Sequence, residues 1–278
     1  MLRALTLTLA LAVLAPVAAA ADEAPRRASH CIAIADAAPE LHYLQLASYR
    51  APLEDWSVRI HYVSHATFLI ETAGGLQAAT DFAGYLGDTN IVPDVVTMNI
   101  AHETHNTAFP DPRIPHVLKG WNPLGGPAVH YLDLGEMVVR NVTTNIRDGR
   151  GGAIRDGNSI FVFEVAGLCI GHLGHLHHEP GDATFAALGR LDVVMAPVDG
   201  GMTLDTPTMV KVLTRLKSSL VLPMHWFGRS TLEQFLAGMD GAFDVVRSED
   251  SFVEVSLRSL PKRPTVMVLA PRYLSATP

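Results

Sequence analysis

The second half of the chain constrains the fold most, because short apolar runs alternate there with stretches of helical period. Residues 183–191 (ATFAALGRL) have helical spacing, and 192–198 (DVVMAPV) read as a buried strand. Residues 205–217 (DTPTMVKVLTRLK) read as an amphipathic helix and 219–226 (SLVLPMHW) as another strand. A further helix is predicted over 230–239 (STLEQFLAGM), with Ser230 as its N-cap. Strands and helices that alternate in this way build an α/β layer architecture.

The first half is richer in strand signals. In residues 57–85 (SVRIHYVSHATFLIETAGGLQAATDFAGY), β-branched and aromatic residues alternate with polar ones, and Ala73-Gly74-Gly75 marks a turn. The run 93–98 (PDVVTM) is a short buried strand. Residues 107–127 are rich in Pro and Gly and read as one long loop, of a length that is often functional. A hairpin is expected from 128 to 142, and SIFVFEV with LCIGH forms another strand pair joined at Ala166-Gly167. With no internal repeat or interdomain linker, residues 51–278 form one domain.

Residues 1–20 have the layout of a secretory signal peptide: an early Arg3, a Leu/Ala/Val run, and small residues from Ala18 to Ala21. A retained membrane anchor is the other reading of this run. Residues 21–50 are an N-terminal extension, and the mature protein is expected in the periplasm or secreted. The formal net charge of −7 carries no basic nucleic-acid footprint, and no membrane association is expected once the signal is cleaved. Cys31 and Cys169 are the two cysteines. In an oxidising compartment they have the option of a disulfide, or Cys169 is a buried free thiol unrelated to Cys31.

Histidines carry the chemistry. His102 and His105 follow the strand PDVVTM, His175 follows LCIGH within HLGHLHH, and His225 follows SLVLPM. Each stands just past the C-terminal end of an apolar strand, the edge at which sites gather in α/β sheets. Neutral imidazole is a good ligand for zinc. A lone HxxH pair is weak, but this pair, the run HLGHLHH and the single His225, all at strand ends, point together to a metal site.

These residues resemble the metallo-β-lactamase superfamily, in the branch of ascorbate-6-phosphate lactonase-like proteins. The matching stretches are VSHATFLIET, ATDF, PDVVTMNIAHETH, RDGNSIFVFEVAGLCIGHLGHLHH and LDVVMAPVDGG with LVLPMHW, in order over residues 57–228. The resemblance implies an αββα sandwich with a metal site at one edge and metal-dependent hydrolysis. It also exposes departures. On the family pattern HxHxDH, the first His falls on Ile100, the second on His102, the Asp on Thr104 and the last His on His105. A further ligand His falls on Arg147, the bridging Asp on His175, and the final His on His225. With no carboxylate at a ligand position and a cation at Arg147, a two-metal site is disfavoured. One zinc ion is therefore expected on His105, His175 and His225, with His102 as fourth ligand or neighbour.

Around that ion, Asp81 is placed to orient a ligand imidazole or to cap a turn, and His65 to enter the site or pack beneath it. Asp199 is a candidate proton acceptor, or simply a turn. Arg147 is an anion clamp for a small-molecule substrate, or an ion-pair partner of Asp148 or Asp81. His172 reads as core, and His177 and His178 as rim. The expected activity is attack by a metal-bound hydroxide on an ester, lactone, amide or phosphoester. The alternative is a non-catalytic relative that binds a metal or small ligand.

Overall fold

A computed structural model describes residues 26–33 and 52–275. The signal peptide expected over 1–20, and most of the extension expected over 21–50, lie outside the described residues. In chain order the elements begin with α1 (His30–Ala33), β1 (Val58–Ser64), β2 (Thr67–Thr72), β3 (Gln77–Ala79), β4 (Gly87–Asp88), β5 (Val95–Met98) and β6 (His116–Lys119). They continue with β7 (Tyr131–Asp133), β8 (Met137–Arg147), β9 (Ala153–Val165), β10 (Leu168–His172), α2 (Asp182–Leu188), β11 (Val193–Pro197) and α3 (Thr206–Leu216). The last are β12 (Leu220–Met224), α4 (Arg229–Met239), β13 (Asp244–Arg247), β14 (Phe252–Val255), β15 (Thr265–Val268) and β16 (Leu274–Ser275).

Two sheets face each other. One has six strands in the order β14-β1-β2-β3-β5-β6, the other eight in the order β13-β15-β12-β11-β10-β9-β8-β7. Successive side chains on a strand point to opposite faces, so strands buried on both sides read as unbroken apolar runs. In β11, Val193 and Met195 enter the core between the sheets, while Val194 and Ala196 meet the helices. β9 divides likewise, with Phe161 and Phe163 between the sheets and Ile160 and Val162 on the helical side. From the six-stranded sheet, Ile60, Phe68 and Ile70 fill the same central core.

The parallel pairs β10–β11 and β11–β12 are joined by α2 and α3, as crossover connections require. Asp205 caps α3 by accepting from the Thr208 amide at 3.0 Å. α2, α3 and α4 pack on the eight-stranded sheet. Among the described residues, the outer face of the six-stranded sheet is closed by loops instead, with Phe82, Leu86 and Ile114 over Leu69, Val96 and Met98.

Three local expectations change. The long loop 107–127 contains β6, which pairs in parallel with β5. β9 begins at Ala153, earlier than SIFVFEV, because the polar residues before it pair with β8 in a hairpin whose tip is largely exposed. Ser230 is not an N-cap: α4 starts at Arg229 after an extended Gly228 that offers no side-chain cap. Cys31 and Cys169 are joined by a disulfide that fixes α1 against β10.

Candidate metal centre

The register of the sheets creates the site. His172 on β10 lies opposite Met195 on β11, and Pro197 on β11 lies opposite Met224 on β12. Parallel neighbours finish at one edge, so His175, Asp199 and His225 emerge together. On the facing sheet β3 and β5 are also parallel. Their ends deliver Asp81 and the segment 99–105, and the β1–β2 turn delivers His65.

Two imidazoles are locked by carboxylates. His105 Nδ1 hydrogen-bonds Asp81 Oδ2, with both side chains fully buried. His225 Nδ1 lies 2.8 Å from Asp199 Oδ2, with the pair equally hidden. Burial alone would raise both carboxyls. For Asp81 the charge and hydrogen bond of His105 outweigh it, and for Asp199 the bonds from His225, Thr203 and Gly201 do. Both pKa values therefore lie below the ordinary range, and both groups are carboxylates. A carboxylate can only accept, so each histidine spends its Nδ1–H on it, and Nε2 is left to face the site.

These two Nε2 atoms stand 3.2 Å apart. At most one proton fits between them, and two facing lone pairs repel unless a cation lies with them. Two nitrogens each about 2.0–2.1 Å from a tetrahedral zinc would be roughly 3.3 Å apart. His65 completes the group: ligand atoms of His65, His105 and His225 all lie within 4.8 Å of one another. The buried Nε2 of His65 has no hydrogen-bond partner, an orphaned acceptor of the kind that a metal satisfies. The donor set thus fits a metal ion.

The backbone at this point is unusual. His65, Asp81 and His225 have φ of 43°, 46° and 59°, in the left-handed region that non-glycine residues seldom occupy. Such conformations persist where surroundings enforce them. The His65 carbonyl accepts from the Tyr62 hydroxyl and from the His225 amide, both at 2.8 Å. Gly174, at φ +61°, lets the loop before His175 approach Asn158, whose Oδ1 a Cβ would meet at 2.6 Å. That same oxygen accepts the His175 amide.

The other predicted residues fall as follows. The His175 ring lies 4.8 Å from that of His105 and 4.9 Å from that of His225, nearly perpendicular to each. Its Nδ1 is 2.5 Å from His177 Nε2. His102 is exposed, its ring 5.6 Å from that of His105, with Nδ1 at 2.9 Å from Thr104 Oγ1. His172 is buried, with Nε2 donating to the Ala66 carbonyl.

Asp199 has no free oxygen. Oδ1 accepts from the amides of Gly201, Met202 and Thr203, and Oδ2 from Thr203 Oγ1 besides His225. Arg147 pairs with neither Asp148 nor Asp81. Its guanidinium donates to the carbonyls of His177, Gly201, Met202 and Thr203. Asp148 is not brought to the site and accepts from the Arg150 and Gly152 amides at the hairpin tip.

Burial, followed by neighbouring positive charge, pushes the pKa of His65 down to about 4, of His175 to about 3 and of His177 to about 4. The neutral imidazole is the stable form of each. A cavity of about 750 Å³ opens over the group, walled by Trp121, Pro123, Ile146, Ile154, Met202 and Phe227. Sequence periodicity carried no signal for the convergence of His65, nor for the carbonyl clamp of Arg147.

Comparison with known proteins bears on the family and the fold. The profile of the family described as "Beta-lactamase superfamily domain" matches residues 59–225. A metallo-β-lactamase superfamily protein of Thermotoga maritima, provisionally assigned as a zinc-dependent hydrolase, superposes with a TM-score of 0.54 at 24% identity. The match covers 76% of this chain and 98% of that one. A protein of Parabacteroides distasonis, provisionally assigned as a metal-dependent hydrolase, gives a TM-score of 0.50 at 12% identity, over 66% of this chain and 89% of that one. No curated protein matches at a significant level. The matched profile spans the strands and histidines that build the site; the fold is that of the metallo-β-lactamases, and the chain belongs to the β-lactamase superfamily domain family.

Proposed function

We propose that the protein is an exported hydrolase that works with one zinc ion, held by His65, His105 and His225, and cleaves an ester, lactone, amide or phosphoester in a small-molecule substrate. One observation carries the reading: two Nε2 atoms 3.2 Å apart, each on an imidazole whose other nitrogen is spent on a buried carboxylate. Asp81 and Asp199 bring two negative charges into the protein with no Lys or Arg paired to either among the described residues. Buried charge needs compensation, and a divalent ion balances two carboxylates. Among the described residues the other candidate metal grouping, His30 with Cys31 and Cys169, is consumed by the disulfide, which favours one ion over two.

Zinc in such a site acidifies water towards neutral pH and polarises a carbonyl or phosphoryl oxygen. The chain does the rest. Asp81 and Asp199 fix the ligand tautomers, and the Tyr62 hydroxyl with the His225 amide holds His65 in its left-handed turn. Arg147 straps the β8–β9 hairpin to the Asp199 turn. The apolar walls exclude water and suit a substrate with an apolar part. The order of motifs supports kinship with the ascorbate-6-phosphate lactonase-like branch. The leader pattern and the disulfide support export.

Metal analysis of the purified protein, with hydrolysis assays on ester, lactone and phosphodiester panels before and after chelation, tests the proposal. Stoichiometric zinc with chelator-sensitive turnover is expected. Stoichiometric zinc with no turnover would favour a binding protein, and absence of any transition metal after growth with zinc would refute the site.

A further inference from the structure

The second histidine pair in the cavity is ordered by a donor with no choice of direction. The backbone amide of Arg147 lies 2.8 Å from His177 Nδ1. An amide N–H can only donate, so His177 Nδ1 carries no proton and accepts. A neutral imidazole keeps one N–H, which here must be on Nε2. That atom stands 2.5 Å from His175 Nδ1, where only one proton fits, and His177 supplies it. His175 Nδ1 therefore accepts as well, and the remaining proton of His175 is on Nε2. The chain runs Arg147 N–H to His177, then His177 Nε2–H to His175, and ends in an N–H on a half-buried ring that lines the cavity.

This order is the reverse of that in His105 and His225. There carboxylates accept the hydrogen bond from Nδ1–H and leave Nε2 to face the metal position, whereas His175 has its Nδ1 lone pair already engaged and a donor left over. His175 Nε2 has no protein hydrogen-bond partner among the described residues. The guanidinium of Arg147 keeps the chain in place by gripping the His177 carbonyl and the carbonyls of residues 201–203.

We infer that His175 is a catalytic hydrogen-bond donor rather than a metal ligand: its Nε2–H, fixed by Arg147 and His177, bonds to the substrate oxygen that gains charge beside the metal. A preorganised donor of this kind stabilises a developing oxyanion without reorganisation at the moment of reaction. His177 is the positioning residue. The inference rests on the metal-dependent reading above for the donor's use, but the proton order is a property of the metal-free chain.

Long-range proton–nitrogen NMR on protein labelled with ¹⁵N in its histidine rings reads that order directly. In chelator-treated wild type, His175 is expected as the Nε2–H form. His177→Ala should release it to a mixture of forms. His177→Gln, whose amide accepts from Arg147 and donates to His175, should restore it. Zinc titration then separates the roles: His175→Ala should keep zinc affinity within about 3-fold of wild type, while His65→Ala should lose about 10-fold or more, at least what loss of a group supporting a ligand costs. Inorganic phosphate serves as the oxyanion probe. Zinc-loaded wild type should bind it at least about 5-fold more tightly than His175→Ala, with His175→Gln in between.

An Nδ1–H form of His175 in the wild type, loss of zinc in His175→Ala, or equal phosphate binding with and without His175 each overturns the inference. Wild type that takes up no zinc would overturn the metal reading instead, and the NMR result would still decide the proton order.

Discussion

Replacing Asp199 by Asn tests the logic of the centre without removing a ligand. Asn keeps an oxygen where Oδ1 accepts the three amides of Gly201, Met202 and Thr203, so the turn should survive. Its NH₂ then faces His225 Nδ1, where a carboxylate oxygen stood at 2.8 Å. An NH₂ only donates, so His225 must present a lone pair at Nδ1 and move its proton to Nε2, the atom that faces His105. Loss of such a supporting group typically weakens metal binding by about 10- to 100-fold, and a flipped tautomer belongs at the upper end. With zinc held 100-fold above the wild-type Kd, binding stabilises the wild type by about 2.7 kcal/mol, against about 0.4 kcal/mol for a variant with 100-fold weaker affinity. At about 2–4 °C per kcal/mol for a domain of this size, the zinc-induced rise in Tm should fall from about 5–11 °C to about 1–2 °C. Thermal melts of chelated and zinc-loaded protein read both values. A zinc-induced shift in Asp199→Asn equal to that of the wild type would refute the tautomer argument, whatever the stability of the metal-free form.

Other consequences follow from the same structure. The lowered pKa values of His65, His175 and His177 mean that the unfolded chain binds more protons than the folded one below about pH 6.5. Chelated protein should therefore lose stability as pH falls from about 6.5 to about 4. A urea midpoint that stays level or rises over that window would contradict the assignment. The disulfide closes a separation of 138 residues, so Cys169→Ser should cost about 2–5 kcal/mol, read as a lower denaturant midpoint that reducing agent does not lower further. Arg140 joins Glu164 at 2.7 Å and donates to the carbonyls of Ala187 and Leu188, tying α2 to the sheet. Arg140→Met takes the guanidinium from the buried Glu164 carboxylate, which keeps the Ser29 hydroxyl and the His30 amide as donors, and should destabilise by about 2–4 kcal/mol, below the full cost of an unpaired buried charge. Glu164→Gln in that background should recover part of the loss.

Much of the layer structure was legible because it is written in local periodicity. The helices at 182–188, 206–216 and 229–239 and the strands at 193–197 and 220–224 follow from runs that bury one stripe or both faces. The weak points were also local. β6 hides among prolines and glycines because its pairing with β5, not its own composition, makes it a strand. Ser230 looked like a cap because its residue type suits one, yet helix α4 had begun one residue earlier.

By itself the sequence determined that histidines would stand at the ends of apolar strands, because strand ends follow from the same periodicity that builds the sheets. It did not determine which histidines would meet, or which nitrogen of each would carry the proton. Those were decided by tertiary structure alone. Partners 24 to 120 residues apart set the site: Asp81 for His105, Asp199 for His225, and the two rings for each other. An imidazole is donor or acceptor according to what its other nitrogen touches, and that contact exists only once the two sheets have brought their edges together.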